Sequence, residues 1–463
     1  MNVEILARLQ FALTIMFHYI YPPLSIGIGL ILVIIEGMYL KTKDKKYETL
    51  AHFWTKIFAL TFAIGVATGI VMEFEFGTNW ATYSRYVGDI FGSALAAEGV
   101  FAFFLESGFL AILLFGWTRV HPKTHFFATL MVCLGAHFSA IWIVVANSWM
   151  QIPMGYKIVG EGIYARAEIT DFWLIVLNTP SLVRLAHTVV GCWLAGSFLA
   201  ISVGAYYLLK KIHIPFAKIS LKVGLWISAI SLVLQVFLGH MSAVIVSEYQ
   251  PAKLAAFEGI YKTENGAGIA LWGIPNSETK QLDYALRVPT VLSLLAKGEQ
   301  NAQITGLDAF PEKDWPRVSV VFQTYHLMLY MWGAMVFATI LAIISWRNGM
   351  LFKNKIILWF LILSVLFPQI ANQAGWVSAE VGRYPWIVYN LLRISDGLSK
   401  TVTANQVLGS IIMFGVVYIL LFILFIYLLN EKIKTGPDDE ETATPYHYYQ
   451  PAAAKELTKN EPT

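Results

Sequence analysis

The sequence has few charged residues and few cysteines, and both shortages exclude classes of protein. Only 14% of the 463 residues are Asp, Glu, Lys or Arg, whereas 57% are hydrophobic, and a soluble globular domain usually carries about 25% charged residues. The two cysteines, Cys133 and Cys192, lie in apolar runs, so no disulfide framework is expected, and no CxxCH motif for covalent haem attachment occurs. A net charge of +3 does not indicate nucleic-acid binding. This composition is typical of an integral membrane protein.

Apolar runs long enough to cross a membrane recur along the chain, each near or above the ~20 residues that a bilayer requires. Helices are the expected spanning form, because lipid offers backbone groups no other hydrogen-bond partner. The sequence therefore predicts an all-α membrane protein with about nine transmembrane helices. We number them spans 1 to 9, at about residues 9–37, 52–74, 91–117, 126–149, 185–209, 218–245, 318–346, 355–375 and 404–430.

The basic residues predict the orientation of the chain. They lie in short loops after spans 1, 3, 5 and 7, namely KTKDKK, RVHPK, KKIHIPFAK and RNGMLFKNK. The positive-inside rule makes these loops cytoplasmic, so the N-terminus is outside and the C-terminus inside. We divide the chain into spans 1–6 (1–245), an outer loop (246–317), spans 7–9 (318–430) and a polar cytoplasmic tail (431–463). The outer loop opens with SEYQPAKLAAFEGIY, which is expected to form a short surface helix.

Ionisable side chains inside the predicted spans are costly, so each suggests a function. Span 3 contains Glu98 and Glu106. Eight residues correspond to about 80° around a helix, so both carboxylates can face the same interior side. Their depth makes them difficult to interpret as surface groups.

Four candidate metal ligands collect toward the outer face. His18, His187 and Met328 lie in the first halves of spans 1, 5 and 7, and Glu380 follows span 8. A His/Met pair suits a low-spin, electron-transferring haem, whereas a single His or carboxylate leaves an iron position open. Taken singly, a membrane histidine is more often an interhelical hydrogen-bonding residue, and a methionine is usually packing. The residues alone therefore permit haem binding without requiring it.

Several long motifs resemble those of one family, in order from residue 1 to about 430. They are RLQFALTIMFHYIYPPL, VATGIVMEFEFGTNW, SALAAEGVFAFFLES, NSWMQIP, KLAAFEG and AGWVSAEVGRYPW. The chain resembles subunit I, the large catalytic subunit, of cytochrome bd-type quinol oxidases. This resemblance implies a multi-pass protein of the bacterial cytoplasmic (inner) membrane. It implies three non-covalent haems, namely low-spin b, high-spin b and the chlorin haem d.

The resemblance further implies that membrane quinol is oxidised and O2 reduced to water, which builds a proton-motive force without pumping. It implies a second helical subunit, subunit II, and in some members a small single-helix subunit.

The resemblance also assigns roles to individual residues. The implied axial ligands of the low-spin b haem are His187 and Met328. The implied ligands at the two high-spin haems, in an order left open, are His18 and Glu380. The implied quinol-binding residues of the outer loop are Lys253 and Glu258. The implied proton route to the oxygen site consists of Glu98, Glu106 and Ser139. The implied haem environment includes Arg8, His326, Trp376 and Arg383.

Two features depart from some members of the family. His326 stands two residues before Met328, where some members have arginine, and a histidine offsets propionate charge only when it is protonated. The outer loop is short, so a more exposed quinol site is expected.

Other interpretations remain open at this stage. A bd-type variant could carry b haem in place of haem d. A haem-free, proton-coupled transporter could use Glu98 and Glu106 as its coupling site. A membrane cytochrome b that does not reduce O2 would be expected to have paired histidine ligands.

Overall fold

A computed structural model describes residues 2–437 of the chain. Within those residues, nine helical segments are long and apolar enough to cross a membrane, which confirms the predicted architecture. They are longer than the predicted apolar runs, because several helices continue through polar residues beyond them. Spans 1 to 9 cover Val3–Thr42, Lys45–Thr78, Gly88–Phe115, Pro122–Gln151, Thr179–Lys210, Ile214–Tyr249, Glu312–Arg347, Lys355–Val381 and Ala404–Thr435.

The α-helices within and between these spans are numbered in chain order. The first eight are α1 (Val3–His18), α2 (Tyr21–Thr42), α3 (Lys45–Thr78), α4 (Ala81–Tyr86), α5 (Gly88–Ala97), α6 (Phe104–Phe115), α7 (Pro122–Gln151) and α8 (Phe172–Leu177). The others are α9 (Thr179–Lys210), α10 (Ile214–Tyr249), α11 (Pro251–Glu258), α12 (Val291–Lys297), α13 (Val318–Arg347), α14 (Lys355–Leu363), α15 (Leu366–Val381), α16 (Ile394–Gly397) and α17 (Ala404–Thr435).

The strands form small antiparallel pairs outside the spans. The strands are β1 (Tyr156–Val159), β2 (Arg166–Ile169), β3 (Glu264–Asn265), β4 (Ile269–Asn276), β5 (Gln281–Val288), β6 (Gln303–Ile304), β7 (Trp386–Val388) and β8 (Leu392–Arg393). The pairs are β1 with β2, β3 with β6, β4 with β5, and β7 with β8. The hairpin β4–β5 is the longest and belongs to the outer loop.

Three spans are interrupted, two of them at candidate functional residues. Span 1 breaks directly after His18, and α2 then starts with proline in its first turn, where the missing N–H costs no helical hydrogen bond. Span 3 contains a π-helix, Glu98–Phe103, between α5 and α6. Span 8 consists of α14 and α15. Such breaks are frequent at functional sites.

The outer loop is folded and packs against span 7. The predicted short helix exists as α11, but residues 252–258 are buried instead of lying at the surface. The reason is a local apolar cluster that joins α11 and α12 to the start of α13.

The predicted tail boundary at residue 431 is several residues too early, because α17 continues to Thr435. Most of the predicted tail, residues 438–463, lies outside the described residues.

Span 5 lies in the middle of the bundle, where α9 packs against α2, α7, α10 and α14. The backbones of spans 1 and 5 meet at Gly27 and Gly196. A Cβ atom on Gly27 would lie 2.5 Å from the Cys192 carbonyl oxygen and 2.6 Å from the Gly196 nitrogen. Small residues allow such close approach of membrane helices. This contact fixes the relative position of the two spans that carry His18 and His187.

We expect Gly27→Ala to lower thermal stability, because the backbones of spans 1 and 5 cannot separate without losing their packing. Overpacking of this kind costs about 1–3 kcal/mol. The matched control is Gly333→Ala in span 7, where no atom lies within 4 Å of the added Cβ. Thermal unfolding in detergent, followed by circular dichroism, measures both variants. Equal unfolding temperatures would contradict the assignment of Gly27 as a close-packing contact.

Candidate active site

The carboxylate of Glu380 lies buried at the end of span 8 and is fully hydrogen-bonded. Its Oε1 accepts from Asn147 Nδ2 at 2.7 Å and from Gln151 Nε2 at 3.1 Å, and its Oε2 accepts from Arg383 Nη2 at 2.5 Å. Buried charges require this degree of pairing. The donors come from the end of α7 and from the turn after α15, so the site depends on how these two ends meet.

Lys253 joins the same network through Gln151. Its Nζ donates to Gln151 Oε1, and to Gln250 Oε1 at 2.6 Å. Gln151 therefore bridges Lys253 and Glu380, with its oxygen toward the amine and its nitrogen toward the carboxylate. Lys253 is only 3% exposed, so this side chain is shielded from solvent even though the loop is short. The cause is that the rest of the outer loop packs over α11.

The charges around Glu380 are unbalanced. Burial holds the pKa of Lys253 well below its ordinary value, the nearby Arg184 and Arg383 lower it further, and Glu380 opposes them. Among residues 2–437, Arg184 Nε and Arg383 Nη1 are buried without a hydrogen-bond partner. Unsatisfied buried donors are costly. The basic side chains exceed the carboxylates in this cluster, which suits the binding of further anionic groups such as carboxylates.

The two candidate axial residues lie on helices that share a neighbour. His187 on α9 and Met328 on α13 are joined by α15, which packs against both helices. His187 Nδ1 is buried and has no partner among the described residues. Gly375 on α15 lies beside Met328, and a Cβ there would be 2.7 Å from Met328 Sδ. Glycine at that position leaves the thioether room to turn toward the bundle interior.

The hydrogen bonds of Thr68 assign the proton of His18 to Nδ1. The hydroxyl of Thr68 donates to the carbonyl oxygens of Ile64 and Gly65 in its own helix, at 2.9 and 3.1 Å. It therefore accepts from His18 Nδ1, 2.9 Å away. The lone pair is then on Nε2, and a hydrogen bond to the other ring nitrogen is the usual support of a histidine ligand. Gly69 lies against the ring, since a Cβ there would be 3.2 Å from His18 Cε1.

The carboxylates of span 3 both face α7. Ser139 Oγ donates to Glu98 Oε1 at 2.5 Å, and the side chain of Glu106 packs directly against Gly135, one helical turn before Ser139. The prediction that both carboxylates face one interior side is confirmed. The π-helix between them changes the local twist, yet both still reach the same neighbouring helix.

Glu258 lies on α11 but faces away from the Glu380 network. Its Oε2 accepts from the Ala270 N–H at 2.9 Å, and its side chain is 1% exposed. Burial raises the pKa of Glu258 to about 7, an effect that the Ala270 N–H and Arg287 oppose. This carboxylate is also shielded from solvent, because β4 covers it.

The ring nitrogens of His326 lie beside backbone carbonyl groups and not beside an acidic side chain. Its Nδ1 lies 2.9 Å from the Phe322 carbonyl oxygen and its Nε2 lies 2.9 Å from the Ala270 carbonyl oxygen. His326 therefore fastens strand β4 to span 7. Ala270 consequently contacts Glu258 through its N–H and His326 through its carbonyl group.

The structure places the remaining predicted residues near the end of span 8. The guanidinium of Arg8 lies 4.2 Å from the centre of the Tyr384 ring and 3.6 Å from Glu4, and Tyr384 follows Arg383. Trp376 is half-buried on α15, one turn before Glu380.

Sequence analysis missed four polar residues of this site. Gln151 and Asn147 belong to the motif NSWMQIP, and Gln250 precedes α11, but uncharged amides give little signal within a sequence. Arg184 gave a usable signal, because it is an ionisable residue inside a span, one turn from His187.

A second buried polar cluster was also missed. His125 Nδ1 lies 2.6 Å from Glu36 Oε1, and Thr129 Oγ1 donates to Glu36 Oε2 at 2.5 Å. These side chains join spans 1 and 4 at the end opposite Glu380. Glu36 lies inside span 1, so the cost of an intramembrane carboxylate was the signal available for finding it.

Comparison with known proteins identifies the family. Residues 6–437 match the profile of cytochrome bd terminal oxidase subunit I. The chain is 36% identical over 451 residues to cytochrome bd ubiquinol oxidase subunit 1 of Bacillus subtilis (strain 168), covering 95% of each chain. It is 30% identical over 508 residues to cytochrome bd-II ubiquinol oxidase subunit 1 of Escherichia coli (strain K12), covering 95% of this chain and 98% of the other.

The fold agrees with these sequence matches. The bd oxidase structure from Geobacillus thermodenitrificans superposes with a TM-score of 0.86 at 28% identity, covering 94% of this chain and 99% of the other. The chain and this oxidase structure thus share one architecture over almost their whole lengths. The chain belongs to the cytochrome bd terminal oxidase subunit I family.

Proposed function

We propose that the chain is the catalytic subunit of a terminal respiratory oxidase that oxidises membrane quinol and reduces O2 to water. The observation that carries this proposal is the buried network in which Lys253, Gln151 and Glu380 form one chain of hydrogen bonds. It connects the outer loop directly with the end of span 8. Lys253 belongs to the loop, and Glu380 belongs to a span.

The residues present fit haem groups. His187 and Met328 would hold a low-spin b haem, and His18 and Glu380 would serve a high-spin b haem and haem d. When bound, the haems supply electron transfer and the iron at which O2 is reduced. The orphaned Arg184 Nε and Arg383 Nη1 would pair with haem propionates. The neutral Nε2 of His18, oriented by Thr68, suits an iron ligand.

The quinol would bind at the outer loop near Lys253 and Glu258. The two side chains lie on one helix, α11, and face different neighbours, so each would meet a different hydroxyl group of the quinol. Glu258 would accept a proton from one hydroxyl group, because a general base works best when its pKa lies near the operating pH. Lys253, with a pKa held low, would hold the other hydroxyl oxygen. Both are shielded from bulk water.

Protons for water formation would move along span 3. With the N-terminus outside, as the basic loops favour, span 3 runs inward, so Glu106 lies deeper toward the cytoplasm than Glu98. Low-dielectric routes need titratable or hydroxyl groups. Glu106, Glu98 and Ser139 provide them on adjoining faces of spans 3 and 4. Uptake inside and release outside would build a proton-motive force without a pump.

The complex would include a second helical subunit and lie in the bacterial cytoplasmic membrane. Several spans expose large apolar side chains, so a partner subunit or lipid would cover those faces. In span 3, large apolar side chains such as Phe101 and Phe104 are exposed.

A reduced-minus-oxidised visible spectrum of the purified complex, repeated with carbon monoxide, tests this function. We expect a low-spin b band that does not change when carbon monoxide is added, and a chlorin band in the red region that shifts. A carbon monoxide-sensitive b band without the chlorin band would indicate the variant with b haem in place of haem d. Absence of haem bands would contradict the oxidase proposal.

Replacing Glu258 tests its role as the proton acceptor. A base must be ionised, so with a pKa raised to about 7 the wild-type rate should fall as the pH drops below about 7. In Glu258→Gln the rate should fall about 100-fold or more and lose this pH dependence. Steady-state quinol oxidation across this pH range measures both effects.

The matched control is Glu299→Gln, in the same loop, where the carboxylate is exposed to solvent. It should retain the wild-type profile. A Glu258→Gln enzyme with the wild-type pH profile would exclude Glu258 as the base.

Replacing Glu106 separates proton delivery from haem binding. We expect Glu106→Leu to slow O2 reduction about tenfold or more, because the apolar side chain cannot pass a proton, while the haem spectrum persists. The control is Ser107→Ala, an exposed neighbour whose hydroxyl bonds only within its own helix among the described contacts. Loss of the haem bands in Glu106→Leu would instead assign Glu106 a structural role.

A further inference from the structure

The hairpin β4–β5 is apolar at one end and polar at the other. Its open end exposes four large apolar side chains, which we call the hairpin base: Leu271, Trp272, Leu286 and Val288. Their exposed fractions are 46%, 51%, 59% and 39%. The turn at the opposite end carries Glu278 and Lys280, and Lys280 pairs with Glu312 at 3.3 Å. Arg287 lies between Leu286 and Val288, but it is mostly buried and pairs with Glu264 at 3.3 Å. Burying the hairpin base against an apolar phase would therefore remove little unpaired charge from water.

The hairpin lies along span 7. Gln323 Nε2 donates to the Gly273 carbonyl oxygen at 3.0 Å, and Tyr330 Oη donates to the Leu271 carbonyl oxygen at 2.6 Å. The rings of Trp272 and Tyr330 stack with centroids 6.3 Å apart. The polar turn, by contrast, lies beside Trp315, before α13 begins. Successive contacts thus run deeper along span 7 from the turn toward the hairpin base.

The depth of Tyr330 follows from the length of α13. The helix has 30 residues, which is about 45 Å at 1.5 Å per residue, and the hydrocarbon layer takes about 20 of them. Tyr330 is the thirteenth residue of Val318–Arg347. Any window of about 20 residues in this helix contains that position. The Tyr330 Cα therefore lies within the hydrocarbon layer wherever the helix is placed along the membrane normal.

The side chain of Tyr330 brings the hairpin base to the edge of this layer. Helical side chains lean toward the N-terminus, so its hydroxyl group points back along α13 to Leu271. Tyrosine and tryptophan prefer such membrane boundaries. The exposed face of α13 continues the apolar surface of the hairpin base at Leu327, Tyr330 and Phe337.

We propose that the hairpin base inserts into the lipid, at the boundary between headgroups and acyl chains on the side of the outer loop. The partner is the bilayer surface itself, and the hairpin extends the lipid-facing surface of span 7. This insertion depends only on span 7 crossing the membrane.

One consequence rests on the proposed function. The N–H group of Ala270, next to Leu271, donates to the Glu258 carboxylate. A hydrophobic quinol leaving the lipid for Glu258 would therefore pass the hairpin base without crossing water.

Spin-label accessibility tests the insertion in the complete oxidase complex, reconstituted in nanodiscs of phosphatidylcholine and phosphatidylglycerol. Leu286→Cys reports on the hairpin base, Glu278→Cys reports on the turn, and Phe337→Cys is a lipid-facing reference on α13. The native Cys133 and Cys192 are buried, and the parent protein measures any labelling of them. Power saturation compares collisions with O2, which enters lipid, and with a nickel chelate, which stays in water.

We expect the ratio of O2 to nickel accessibility at position 286 to exceed that at position 278 severalfold and to remain below the value at position 337, which lies deeper in the membrane. High nickel accessibility at position 286 would overturn the proposal by showing a water-exposed hairpin base. Low accessibility to both reagents would also overturn it, because a second subunit or another copy of the chain would then cover the surface. The measurement uses neither haem nor quinol, so its result does not depend on whether the proposed function is correct.

Discussion

A carboxylate buried beside more cations than it can neutralise organises the active end of this protein. Glu380 receives hydrogen bonds from two amides and a guanidinium, and these donors tie the end of α7 to the turn after α15. Lys253 adds α11 through the amide of Gln151. In a medium of low dielectric constant such charges interact strongly, so displacing one element disturbs the others. The remaining guanidinium donors still require anionic partners, and the propionates of the proposed haems meet that requirement.

Breaks in the spans place the reactive groups where regular helices would not. His18 is the last residue of α1, and the chain turns before α2 starts. Glu98 opens a π-helix, whose wider turn leaves its side chain free to reach Ser139. Glu380 stands in the last turn of α15, beside the loop that supplies Arg383. Each break removes regular backbone bonding, and the packed neighbours compensate for the loss.

The sequence predicted the spans and the charged part of the site, because both are local. Apolar length marks a membrane helix, and Glu380 lies three residues from Arg383, so their pairing required no knowledge of the tertiary fold. The bridge from Lys253 to Glu380 could not be predicted in this way, since Gln151 lies 102 residues from Lys253 and 229 from Glu380. Burial of α11 also escaped prediction, because its cover comes from packing within a loop whose composition resembles an exposed segment.

A single residue, Ala270, connects the proposed quinol base with the helix that carries Met328. The Ala270 N–H holds Glu258, the proposed base for quinol, and the Ala270 carbonyl oxygen lies against His326. His326 stands two residues before Met328 on the same helix, so a rigid α-helical backbone continues to the proposed haem ligand. The position of the proposed quinol base is therefore determined by span 7 as well as by the loop. Histidine at position 326 then has a mechanical reason. A proton on Nε2 lets the ring donate to the Ala270 carbonyl oxygen, which holds β4 against the helix and keeps Glu258 close to span 7.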